Sequence, residues 1–193
     1  MSSSKNNPTG LDTENMRNIV RRSYQYIAMY NVINNFAMNE YTPMSTGGWN
    51  KTYVPTALAD HTVKAIARPN NDTLYVCTML DLRADPVVVH YPAFDSKFVS
   101  LETSAYDHYV DIPLSTTKGD FKKPVTMLYY SDRTQGYDGA PVEGIDKYMK
   151  MSGDFAIAFL RIMPHAAEPE RLKKNLATMK EVSAKTLSEY LGK

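Results

Sequence analysis

The chain has 193 residues, enough for one hydrophobic core of ordinary size and barely enough for two. Hydrophobic residues make up 43% and charged residues 22%, with 22 basic against 21 acidic side chains. That is the make-up of a folded domain, without the basic field that gathers nucleic acid, and no apolar run reaches the length of about 18 residues needed to span a bilayer.

In chain order, residues 1–11 read as a flexible polar tail and 12–193 as a single globular domain. The tail lacks the apolar stretch of a secretion signal, so the chain as given reads as cytoplasmic. Asp12 or Thr13 can cap a helix running to Asn34. Met16, Ile19, Val20, Ser23, Tyr24, Ile27, Tyr30 and Asn34 recur there at spacings of three and four, opposite Arg17, Arg21, Arg22 and Gln25. This predicts a helix laid on a larger body. From Ala37 to Pro55 the pattern breaks into a loop with Pro43, Gly47-Gly48 and Trp49, either a lid or a plug at the edge of the core.

Strand signals then dominate: Thr73–Leu80, Pro86–His90, Phe98–Ser104, Tyr106–Asp111, Val125–Tyr130 and Phe155–Ile162. The last is apolar on both faces and therefore predicted to be central. Gly136 to Gly144 is a surface loop, and Pro169 opens a second helix reaching Leu191. The expected fold is α+β: mainly an antiparallel jelly-roll-like β-sandwich flanked by N-terminal and C-terminal amphipathic helices.

The chemistry is less specified. His61, His90, His108 and His165 are scattered, and the one cysteine leaves neither an internal disulfide nor a structural zinc site. Cys77, amid strand residues, reads as a packed core thiol. If Asp107-His108-Tyr109-Val110-Asp111 is a strand, His108 points away from both acids, which argues against a shared metal. No nucleophile elbow and no phosphate loop is present, so no cofactor is implied.

What remains is a set of polar and aromatic residues at strand ends: Asn71, Asp72, Tyr75, Asp81, Tyr106, His108 and Arg133. The 14 tyrosines suit a pocket for a small, partly polar molecule, each offering an apolar ring and one hydrogen-bonding tip. In this reading Asp72 and Tyr75 meet through their turn, Asp72 as general base or polar anchor and Tyr75 as its donor, and Arg133 is the counter-charge for an anionic substrate. Asp81 serves as a turn acid near Arg83. The alternative is a non-catalytic structural or protein-interaction module in which the same residues stabilise turns. The residues decide neither for nor against an enzyme.

The segments Ala67-Arg68-Pro69-Asn70-Asn71-Asp72-Thr73-Leu74-Tyr75, Leu80-Asp81-Leu82, Asp85-Pro86-Val87-Val88-Val89, Tyr91-Pro92 and Phe98-Val99-Ser100-Leu101 carry a resemblance. In this order they are similar to the core of the domain-of-unknown-function family number 1254. The family's basic residue before Asp-Thr-Leu-Tyr is Asn71 here, and its Asp-Ala-Tyr is Ser104-Ala105-Tyr106, so one acid is gone. The resemblance implies a β-rich, jelly-roll-like domain, often exported and often followed by a second β domain of family number 1214. It implies no settled reaction. On that basis the chain looks like a stand-alone first half. It is then expected to form a homo-oligomer through its C-terminal helix, or to meet a separate partner domain, because the surface a second domain covers is left open.

Overall fold

The computed structural model describes residues 10–42, 44–64 and 68–193. The expected tail therefore lies almost wholly outside the described residues, as do Pro43 and Ala67. Helix α1 spans Thr13–Met38 and starts where its cap is: the Asp12 carboxylate accepts the Asn15 N–H at 2.8 Å. Its 26 residues make a rod of about 39 Å, longer than a sheet of five strands is wide at roughly 4.8 Å per strand. Only the C-terminal part is seated. Ile33 and Ala37 are buried on Cys77, Met79 and Ile157, with Met29 and Phe36 half-buried beside them. The expected contact stripe is instead open to solvent, with Val20 68% and Tyr24 74% exposed. The helix overhangs the body it was expected to lie on.

Among the described residues nine strands follow: β1 Lys51–Tyr53, β2 Leu74–Asp81, β3 Val87–Tyr91, β4 Val99–Ala105, β5 Val110–Ser115, β6 Val125–Ser131, β7 Lys147–Met151, β8 Phe155–Ile162 and β9 Ser183–Thr186. They form a sheet of order β1-β2-β8-β4-β5 and a second of order β7-β6-β3-β9. Every pairing is antiparallel except β6 with β7. The architecture is thus α+β, with mixed and mainly antiparallel sheets and a few helices.

The two sheets share one core. Leu74, Val76 and Leu80 of β2 and Leu160 and Ile162 of β8 point inward against Val87 and Val89 of β3 and Met127 of β6. Two phenols lie within it, and Tyr91 and Tyr129 satisfy each other at 2.8 Å. Burial pushes both phenols far above the usual tyrosine range. Strand β8 sits in the middle of the first sheet and is apolar on both faces because one faces this core and the other faces α1.

Two expected elements fall differently. Residues 106–109 form a turn and not the start of a strand, since His108 adopts φ 67° and its N–H returns to the Ala105 carbonyl; pairing resumes at Val110. The helix expected over Pro169–Leu191 is broken. Helix α2 covers Pro169–Met179, residues 183–186 pair with β3, and one further turn, α3, covers Leu187–Tyr190. Thr186 both ends β9 and caps α3 in a reciprocal box with Glu189.

Candidate functional site

Strand parity places Tyr75 of β2 opposite Arg161 of β8, on the same outer face as Glu102 of β4. Arg161 donates from Nη1 to Glu102 Oε1 at 2.7 Å, and from Nε and Nη2 to the Tyr75 phenol oxygen at 3.1 and 2.9 Å. The same oxygen accepts from Asn70 Nδ2 at 2.9 Å. Asn70 also closes the turn before β2, its Oδ1 accepting the Asp72 N–H at 2.7 Å. Phe159 meets the edge of the Tyr75 ring at 6.2 Å between centroids.

This polar group forms part of the wall of a cavity of about 530 Å³. Phe36 of α1, Tyr53 at the end of β1, Leu58 and Phe159 supply apolar lining, and Arg68 and Thr73 add polar groups. The volume lies in the range usual for small-molecule sites. The Thr73 hydroxyl is buried without a hydrogen-bond partner, and Arg68 is exposed with no ion pair among the described residues.

The seven residues marked in the sequence do not converge. Tyr75 belongs to the cavity. Asn71 and Asp72 are exposed on the turn between Asn70 and Thr73, both of which line it, and Tyr75 is bonded by Asn70 where the sequence suggested Asp72. Arg133, Tyr106 and Asp81 gather near the opposite end of β8. Phe155, the partner of Asp81, and Arg161, the partner of Tyr75, are about 20 Å apart along an extended strand.

At that end Arg133 binds Asp154 at 2.8 Å and the Tyr106 hydroxyl at 3.1 Å, so it does not stand beside Tyr75 as the expected counter-charge for an anionic substrate. Asp154 also accepts from Ser131 at 2.7 Å. Partial burial works to raise its carboxyl, but the hydrogen bonds from Arg133 and Ser131 and the neighbouring guanidinium charges outweigh this, and it titrates below the ordinary carboxylate range. Asp81 pairs with Arg83 at 2.8 Å. His108 donates from Nε2 to the Gln25 carbonyl of α1 at 2.9 Å. These contacts tie loops to the sheet and to the helix.

Arg161, Glu102, Asn70 and Arg68 were not singled out in the sequence reading. The signal for Arg161 was there, a lone cation in the otherwise apolar run Phe155–Ile162. A further cluster resembles an acyl-transfer relay: Ser96 Oγ lies 3.2 Å from His165 Nε2, and His165 Nδ1 lies 3.2 Å from Glu168. Nε2, however, already accepts the Lys97 N–H at 3.1 Å, and the one serine hydrogen has the Phe98 and Met163 carbonyls at 3.0 and 3.1 Å. The imidazole's single free lone pair is occupied, and the cluster is a latch between chain segments. Among the described residues no three His, Cys, Asp or Glu side chains gather to hold a metal, and no helix is long and apolar enough to cross a membrane.

The sequence profile of a family described as "Protein of unknown function (DUF1254)" matches residues 49–185. The chain belongs to the DUF1254 family. The matched segment runs from the residue pair before β1 into β9 and so contains both sheets and most of the cavity wall, whereas Phe36 of α1 lies outside it. Among solved structures, the DUF1254 chain is similar to the VPA0106 protein of Vibrio parahaemolyticus, with 26% identity over 89% of this chain and a TM-score of 0.66. It spans 37% of that protein's chain. An uncharacterised protein of Burkholderia cenocepacia is aligned over 82% of this chain and 48% of its own at 16% identity, with a TM-score of 0.40. No curated protein matches.

Proposed function

We propose that this DUF1254 domain binds a small polar molecule in the cavity beside Tyr75 and Arg161. One observation carries the reading: the Tyr75 phenol accepts three N–H groups from Arg161 and Asn70, which leaves its own hydrogen unspent at the wall of a cavity of about 530 Å³. Tyr75 holds the ligand in this reading, with Asn70, Thr73 and Arg161 beside it and Asn71 and Asp72 at the rim. Asp81, Tyr106, His108 and Arg133 are assigned to loop anchoring. A thermal-shift screen of small carboxylates, sugars and divalent metals tests it. The expected result is a hit that Tyr75→Phe weakens, and a flat result across all three classes removes the proposal.

A second reading, a protein-interaction module, is favoured by the open apolar stripe of α1, where Ile19, Val20, Tyr24 and Ile27 are all more than half exposed. It moves the expected self-association from the C-terminal helix to α1. Sedimentation at rising concentration tests it: the native chain shifts to dimer, and Val20→Glu with Tyr24→Glu stays monomeric at unchanged stability. The repeated passage of the chain between sheets, from β2 to β3, back to β4, and from β8 to β9, supports reading the architecture as jelly-roll-like.

A further inference from the structure

The cavity's unspent hydrogen-bonding groups are mostly donors, and from them we infer that its ligand is a monocarboxylate with an apolar body. This rests on the small-molecule reading above and deepens it. The Tyr75 oxygen is filled by three N–H bonds, so what it can offer is its O–H hydrogen. Asn70 has its Oδ1 on the Asp72 N–H and its amide on Tyr75, so its acceptor is already engaged. The Thr73 hydroxyl is buried and unpartnered, and Arg68 carries a guanidinium with no partner among the described residues.

A ligand satisfying Tyr75 and Arg68 together must present acceptors to both, and a carboxylate offers two oxygens with about four lone-pair directions. The charge count limits the ligand further. Arg68 and Arg161 line the cavity with Asp60, whose Oδ1 is turned to the Thr62 N–H and hydroxyl, and Glu102 already holds one edge of Arg161. These two guanidiniums and two carboxylates sum to zero, so the lining holds no excess positive charge for a polyphosphate, and the cation left for a single carboxylate is Arg68, which has no ion pair among the described residues. The remaining wall, Phe36, Tyr53, Leu58 and Phe159, suits an aromatic or branched alkyl body.

Titration calorimetry with phenylacetate and hexanoate, against the uncharged isosteres phenylacetamide and hexanamide, is the test. The carboxylates are expected to bind at least about tenfold more tightly than the amides, the usual worth of a charge-assisted hydrogen bond. Arg68→Met, at an exposed position that should leave folding untouched, is expected to weaken the carboxylates much more than the amides and so erase that preference. Amides binding as tightly as acids would overturn the carboxylate assignment and leave the small-molecule site standing. Silence from all four probes also overturns it; a sugar hit displaced by Tyr75→Phe in the thermal-shift screen then preserves the wider reading, and a flat screen ends both.

Discussion

Tyr75 holds three N–H donors on one oxygen, so Tyr75→Phe strands the Arg161 and Asn70 donors on a half-buried surface that water can partly reach. The expected cost is about 1 kcal/mol, or roughly 2–4 °C in a melt of a domain this size. Gly153 is a tighter constraint. A Cβ there would sit 2.7 Å from the Tyr106 ring, so Gly153→Ala is expected to destabilise by about 1–3 kcal/mol. Tyr106→Leu in the same chain should recover part of that loss, a coupling a double-mutant cycle measures directly. Asp154 sets an acid limit. Its folded carboxyl titrates below its unfolded value, so the pairing with Arg133 and Ser131 is fully stabilising above the unfolded value, near pH 4, and is lost as pH falls through the lower folded one. Asp154→Asn should flatten the decline of Tm between about pH 4 and pH 2 and lower Tm at pH 7.

The elements that the sequence made legible and those it hid divide along one line. Strands β2, β3, β4, β6 and β8 were read to within about a residue at each end, and all are interior strands of their sheets. The four strands missed or misplaced, β1, β5, β7 and β9, are the four edges. An interior strand is paired along both edges and largely buried, so most of its residues are apolar, β-branched or small and its signal is dense. An edge strand such as Lys147–Met151 or Ser183–Thr186 takes its conformation from the neighbour it pairs with, and its own residues carry little signal. The site divides likewise. Tyr75 announced itself in a local motif, whereas Arg161 and Glu102 reach it only through cross-strand register, at sequence separations of 86 from Tyr75 to Arg161 and 59 from Glu102 to Arg161. At the last edge, Thr186→Ala removes the hydroxyl that caps α3 and is expected to cost about 1 kcal/mol, with hydrogen exchange quickening first at Glu189.

Across the whole molecule, Cys77 lies at the interface of α1 and the first sheet, fully buried, with burial pushing its thiol far up. A thiol reagent should therefore label the native chain only as fast as it opens, and the labelling rate in mild denaturant should follow the unfolding free energy. The position of β9 bears on synthesis. Val87–Tyr91 leaves the ribosome long before the strand that covers its outer edge, and α3 closes on it from a distance of 103 residues, where Ser188 N–H meets Asp85. Until residues 183–186 have cleared the exit tunnel, a flat, valine-rich edge stands open to other nascent chains. A chain stopped at Met179 is expected to sediment as aggregate where the 193-residue chain remains in solution. The pairing of β9, and not the completion of β3 itself, then marks the moment at which this domain becomes safe from its neighbours.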